Sequence, residues 1–258
     1  YKSKGKVVAL EQLCSEKDVS GTIGIAHTRW ATHGVPNEVN AHPHVSQSGD
    51  ITLVHNGIIE NYVTLRQQLI EKAGCTFKSE TDTEVLVQLI EYKKNKHNLS
   101  LADAVRSALR LVIGAYAIAV IDKHQPDQIV CARKASPLAV GIGQDNREFF
   151  LASDASPIAE YTKKIVYFND EEIGVISLNN GLEISDLNGT QAEALVKEVD
   201  MDLSMLDHDG FPHFMLKEIF DQPNVLRNCM KGRIVDSTFS GMHGIQVVLS
   251  AVTSRRRQ

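Results

Sequence analysis

The stretch GAYAIAVIDKHQPDQIVCARKASPLAVGIG, Gly114–Gly143, sets the reading of the fold. Ala115–Asp122, Gln128–Arg133 and Leu138–Ile142 are short runs rich in apolar and β-branched residues, separated by Lys-His-Gln-Pro-Asp and Lys-Ala-Ser-Pro. Apolar runs bounded by such breakers have the texture of strand, turn and strand. The pattern continues through Glu148–Ala152, Lys164–Phe168, Glu172–Leu178 and Leu182–Ser185. So many strands, interrupted by few helices, predict stacked sheets with helices outside them, an α+β layered domain.

Upstream the texture is mixed. Thr22–His27 (TIGIAH) and Ile51–His55 (ITLVH) read as strands. Between them Thr28–Gln47 is polar, rich in His and Asn, and broken by Pro36 and Pro43. A long ordered loop of this kind tends to carry function. Asn61–Lys72 has helical spacing with Gly74 as its stop, and a second helix starts near Asp82 with Val85, Leu86, Leu89 and Ile90 as its stripe. Ser100 and Asp103 form a helix-starting cap, followed by Leu101, Val105, Leu109 and Val112 at helical spacing. Asp207–Pro212 reads as a linker, and Phe214–Asn228 as a new amphipathic helix interrupted by Pro223. Residues 1–206 are thus expected to form one large domain, and residues 207–258 a linker and the beginning of a second.

The chain has 258 residues and a formal net charge of −5, which argues against nucleic acid or an anionic membrane as its main partner. Its longest apolar stretch, Leu111–Ile121, is about half of the roughly 20 residues that a membrane span needs. The first residues hold too short an apolar run for a secretory signal. Cys14, Cys75, Cys131 and Cys229 lie far apart with no C-x-x-C spacing, as reduced cytosolic thiols do. A cytoplasmic enzyme is expected.

Three polar clusters hold the candidate chemistry: HTRWATHG (His27–Gly34) leading to NAHPH (Asn40–His44), HNG (His55–Gly57), and SETDTE (Ser79–Glu84). Five histidines fall between His27 and His55. They read as metal ligands or, in the plainer reading, as hydrogen-bonding groups of a long loop, because no carboxylate stands at a familiar ligand spacing. Arg29 beside Trp30 reads as a surface cation–π pair or as a two-pronged carboxylate clamp. Asn56-Gly57 reads as a turn or as an oxyanion hole made of a side-chain amide and an approachable backbone N–H. Asp82 reads as an ordinary first-turn acid or as the partner of an ammonium group.

Read together, GIAHTRWATHG (Gly24–Gly34), NAHPH, HNGIIENY (His55–Tyr62) and SETDTE resemble the class II, N-terminal-nucleophile glutamine amidotransferases. GAYAIAVID (Gly114–Asp122), SPLAVGIG (Ser136–Gly143), ASDASPI (Ala152–Ile158) and MLKEIFDQP (Met215–Pro223) extend the likeness, which is nearest to the family's hexosamine-forming branch. The resemblance implies a four-layer αββα sandwich followed by the start of a sugar-isomerase domain. It implies transfer of the amide nitrogen of L-glutamine to fructose 6-phosphate, giving glucosamine 6-phosphate and glutamate, with no cofactor and no metal. It also implies a homodimer or higher oligomer built through the isomerase domain.

The roles implied are Arg29 on the glutamine α-carboxylate, Asp82 on the α-ammonium, and Asn56 with Gly57 as the oxyanion hole. Trp30, Thr32 and His33 lie on what resembles the loop that closes over glutamine. The chain departs from the family at the nucleophile, which should be an N-terminal cysteine activated by its own α-amine. The sequence starts at Tyr1, and none of its four cysteines fits that role. The chain as given is therefore expected to be inactive. Two other readings stand beside this one, a non-catalytic glutamine-binding or scaffold protein and a histidine-liganded metal hydrolase.

Overall fold

The computed structural model describes residues 1–199 and 209–231, together with the backbone of 234–235 and 238–239. The chain divides into two compact units, Tyr1–Met201 and Asp202–Gln258. In chain order the first unit contains helix α1 (Val7–Ser15), strands β1 (His44–Val45) and β2 (Ile51–Ile59), and helices α2 (Tyr62–Ala73), α3 (Asp82–His97) and α4 (Leu101–Leu109). Strands β3 (Gly114–Asp122), β4 (Gln125–Lys134), β5 (Ala139–Ile142) and β6 (Phe149–Ala152) follow, then the short helix α5 (Ser156–Ala159). The unit ends with β7 (Lys164–Tyr167), β8 (Glu172–Ser177), β9 (Gly181–Asp186), β10 (Gln191–Ala192) and β11 (Val196–Glu198).

The strands form two antiparallel sheets, one in the order β1-β2-β3-β4-β8-β9-β10 and the other in the order β11-β7-β5-β6. Because side chains alternate across a strand, β3 and β4 serve two cores at once. Ile118, Val120, Val130 and Ala132 face α2, α3 and α4, where they meet Leu65, Leu86, Ile90 and Leu101. Ala117 and Cys131 face the second sheet, where they meet Val140 and Val166. On the far side of that sheet Ala139 and Ile165 pack against Ile158 of α5. The layers therefore run helices, sheet, sheet, helix. The first core is much the larger of the two inter-layer clusters; full burial of a side chain such as Leu86 contributes about 1.5–3 kcal/mol.

Local chemistry explains most element boundaries. Thr81 and Ser100 cap α3 and α4 by accepting from the backbone N–H of Glu84 and Asp103. Gly74 ends α2 in the left-handed conformation. Helix α3 departs from the expected single stripe, since every residue from Asp82 to Ile90 is buried. It is enclosed by α2, α4 and β2, so its polar first turn is internal as well.

Three expectations need correction, and one helix has no counterpart in the sequence reading. Thr22–His27 forms no strand, because no neighbouring strand pairs with it among the described residues, and pairing is what makes a strand. The His55-Asn56-Gly57 triplet does not end β2 but lies within it, paired with Ile118, Ala117 and Tyr116 of β3. Helix α1 occupies a segment with no strong helical stripe in its sequence, and it buries none of its residues. In the second unit helix α6 (Phe214–Met230) runs through Pro223 without interruption, since the loss of one N–H need not break a helix of this length. Of the expected linker, residues 207 and 208 lie outside the described residues. No helix of the described residues is long and apolar enough to cross a membrane.

Candidate active site

Four segments meet: the loop from His27 to Val35, the turn from Asn40 to His44, the later half of β2 and the start of α3. They enclose a cavity of about 300 Å³. Arg29, Trp30, Thr32, His33, Asn56, Gly57 and Asp82 all line it, so the candidate residues from three separate sequence clusters share one space.

The wall at the start of α3 is built from buried polar groups. The Glu84 carboxylate accepts from the backbone N–H of Lys78 at 2.9 Å and from the N–H and hydroxyl of Ser79, each at 2.6 Å. These bonds fold the Ser79–Thr81 segment back over the helix end. Asp82, only 3% exposed, sits at the positive end of the helix dipole, and its Oδ2 accepts from the Ile59 N–H at 2.8 Å. Its other oxygen is 3.9 Å from His33 Nδ1. A carboxylate is thus held in place from behind and presented at the cavity.

Strand β2 supplies the floor. Gly57 has φ +130°, and a Cβ there would stand 2.1 Å from the Ala115 carbonyl oxygen. Only glycine fits this conformation and this approach of β3. Asn56 projects from the neighbouring position, with its Oδ1 2.7 Å from His27 Nε2.

The opposite wall is the loop. Arg29 donates to the carbonyls of His33, of Gly34 at 3.1 Å and of Val35 at 3.3 Å, pinning the loop into a compact turn. Of the five N–H donors of the guanidinium, both on Nη2 and one on Nη1 make these bonds among the described residues. Trp30 is 90% exposed, and the His33 ring meets Tyr62 edge-on at 5.1 Å. Asn40, 1% exposed, ties the loop to the other wall by donating to Val35 O and Glu80 Oε2 while accepting from the Glu80 N–H.

Four histidines cluster at the cavity, three of them (His27, His42 and His55) in its lining and His44 next to His42. His27 and His42 have ring centres 4.1 Å apart, and His42 and His44 5.0 Å apart. Burial, aided by the neighbouring imidazoles and Arg29, pushes His42 down to about 2. Burial and nearby Lys2 push His44 down to about 4, and burial lowers His27 and His55 as well. All four are neutral near pH 7, acting as hydrogen-bonding groups with Thr81, Thr83 and Asn56 as partners. Among the described residues no group of three or more His, Cys, Asp or Glu is arranged to hold a metal ion. No cysteine lines the cavity. Cys131 is enclosed between the sheets, where burial pushes its thiol up to about 12.

Residues with geometric roles here but no assigned role in the sequence reading are Asn40, Thr81 and Thr83, while His27, His42, His44 and His55 take the plainer of their two readings, as hydrogen-bonding groups. All lie within the three polar clusters, and the density of histidine was the visible signal.

A glutamine amidotransferase domain model matches residues 27–160. The chain is 56% identical over 252 residues to the glutamine–fructose-6-phosphate aminotransferase (isomerizing) of Bacteroides thetaiotaomicron, covering 98% of the chain and 40% of the relative. It is 50% identical over 237 residues to the enzyme of that name from Chlorobaculum tepidum, covering 90% of the chain and 38% of the relative. The chain thus spans about 40% of the length of these curated relatives. Among solved structures, the glutamine phosphoribosylpyrophosphate amidotransferase of B. subtilis, complexed with ADP and GMP, aligns with a TM-score of 0.51 and 26% identity. That alignment covers 62% of this chain and 34% of the other.

Proposed function

The chain belongs to the glutamine amidotransferase domain family, and on that premise we propose that its cavity binds L-glutamine for transfer of the amide nitrogen to fructose 6-phosphate. The products are glucosamine 6-phosphate and glutamate. Free glutamine carries one cation and one anion on its α-carbon, so a specific pocket needs one group of each sign. The observation that carries the reading is that Asp82 and Arg29 line the same 300 Å³ cavity, and that Asn56 and Gly57 lie on its floor. Asp82 receives the α-ammonium, and the Arg29 guanidinium receives the α-carboxylate. The Asn56 amide and the Gly57 N–H stabilise the oxyanion that forms when the side-chain amide is attacked; one such donor contributes about 3–4 kcal/mol to the transition state. Trp30, Thr32 and His33 cover the bound substrate.

Residues 1–206 form the glutaminase domain. Residues 207–258 form the linker and the beginning of a sugar-isomerase domain, which binds fructose 6-phosphate and assembles the homodimer or higher oligomer in the cytoplasm. No cysteine is among the residues that line the cavity. The second reading is a non-catalytic glutamine-binding or scaffold protein of this fold.

Calorimetric titration of the chain with glutamine is the first test. Saturable binding that is lost in Asp82→Asn supports the assignment, and no binding heat overturns it. Glutamate release by the chain, abolished by thiol alkylation, overturns the prediction of inactivity. In the full-length protein, hydrolysis with a KM for glutamine raised at least about 100-fold by Arg29→Ala supports the enzyme reading. No hydrolysis by that protein favours the binding protein.

A further inference from the structure

The assignment of Asn56 as an oxyanion donor requires one orientation of its amide, with Nδ2 rather than Oδ1 toward the substrate. The histidines at the cavity bear on that orientation, and hydrogen bonds fix the protons of two of them, His55 and His42. His55 Nε2 lies 3.4 Å from the Ala115 carbonyl oxygen, which only accepts, so Nε2 carries the His55 proton. His55 Nδ1 is then a bare lone pair and accepts from the Thr83 hydroxyl at 3.0 Å. With its single proton committed there, Thr83 Oγ1 accepts from His42 Nε2 at 3.1 Å. The His42 proton is therefore on Nε2 and its Nδ1 is bare, in agreement with a buried Nδ1 that has no hydrogen-bond partner.

His27 packs against His42 and presents the same choice. Its Nδ1 is buried without a hydrogen-bond partner, whereas its Nε2 is 2.7 Å from Asn56 Oδ1. A proton on Nδ1 would be a buried donor with no acceptor at good hydrogen-bonding geometry, the His55 backbone being the one such group near the ring, so much of its desolvation would go uncompensated. A proton on Nε2 makes the short bond to the amide oxygen. We propose that His27 is a positioning residue, whose Nε2–H holds Asn56 by its oxygen and so turns the Nδ2 donors to the cavity. Neither Nδ2 proton has another acceptor among the described residues, so both are free for a developing oxyanion. Burial keeps the His27 ring neutral, and the Thr83 hydroxyl links its neighbour His42 to His55. The role rests on the proposed function of Asn56, and the experiment separates the two.

Glutamine hydrolysis is measured in the full-length protein for Asn56→Ala, His27→Leu, His27→Gln and the His27→Leu/Asn56→Ala pair. His27→Leu is expected to lower kcat about 100-fold while KM stays within about threefold, as for an interaction made only in the transition state. His27→Gln, which keeps an N–H donor, recovers most of that loss. The double variant falls no further than Asn56→Ala alone, because both changes remove the same donor. An unchanged kcat in Asn56→Ala overturns the oxyanion reading itself. A reduced kcat in Asn56→Ala overturns the positioning role alone if His27→Leu keeps wild-type kcat, or if the two losses multiply. Should His27→Leu not fold, ¹⁵N resonances of the histidine rings in the unaltered chain decide the matter. His27 protonated at Nε2 and bare at Nδ1 is the expected result, and protonation at Nδ1 overturns the role.

Discussion

On one side of the cavity Thr81, Asp82, Thr83 and Glu84 are each at most 4% exposed, inside a helix start that the core surrounds. On the other side Arg29 to His33 lie on a loop whose tryptophan is 90% exposed and whose arginine is bonded to the loop's own carbonyls. The two halves of the proposed amino-acid pocket are therefore held by different forces. The anionic half is part of the fold, since a buried carboxylate persists only where backbone N–H groups and a helix terminus stabilise it. The cationic half stands on a local turn, tied to the body at its ends by Asn40 and His27 and otherwise held by its own carbonyls. Changes in the first half are expected to cost stability as well as binding, and changes in the second to cost binding almost alone.

The harshest test of this contrast is Gly57→Ala. The added methyl meets the Ala115 carbonyl at 2.1 Å in a conformation that alanine disfavours, so a loss of more than about 3 kcal/mol is expected. Denaturant unfolding measures it, and a midpoint like that of the unaltered chain would show that β2 and β3 are not locked together at the site.

Acid attacks the rigid half next. His42 near 2 and His44 near 4 stay neutral in the fold, whereas in the unfolded chain each takes up a proton near its ordinary 6.5. Stability is therefore greatest above about pH 6.5 and falls as the pH drops toward 4, with the His42 share continuing to fall toward 2. By pH 5 each contributes a loss on the order of 2 kcal/mol, visible as a lower unfolding temperature than at pH 7. Flat stability across that interval would mean that the imidazoles are far better hydrated than their burial implies.

Asp82→Ala removes the acceptor of the buried Ile59 N–H, at an expected cost of about 1–3 kcal/mol in addition to the loss of glutamine binding. The smallest effect belongs to the loop. Trp30→Ala should shift stability by no more than about 0.5 kcal/mol, because the ring is already in water. A larger change on thermal unfolding would place the tryptophan against the body of the protein and weaken the contrast between the two halves.

Much of the architecture was legible because its signals are local. Seven strand runs from Ala115 to Ser185 fall on observed strands to within a few residues, as alternation and turn residues allow. Asn61–Lys72 with Gly74, and Ser100 with Asp103, likewise announce their helices through caps that a single chain segment completes. Segments that depend on a partner were misread. Thr22–His27 has strand composition but no neighbour to pair with, and Asn56-Gly57 has turn composition inside a strand whose pairing with β3 requires the glycine.

From the order of residues alone came the strand texture, the helix caps and the three polar clusters in which every candidate residue lies. Only the folded chain could bring positions 29, 56 and 82 to one 300 Å³ space, and only there are four histidines pushed below their ordinary value. The reason is one of range. Backbone propensity and capping act over a few residues and can be read in sequence, whereas burial, proton placement and the facing of charges depend on groups dozens of residues apart that meet only after the layers have packed.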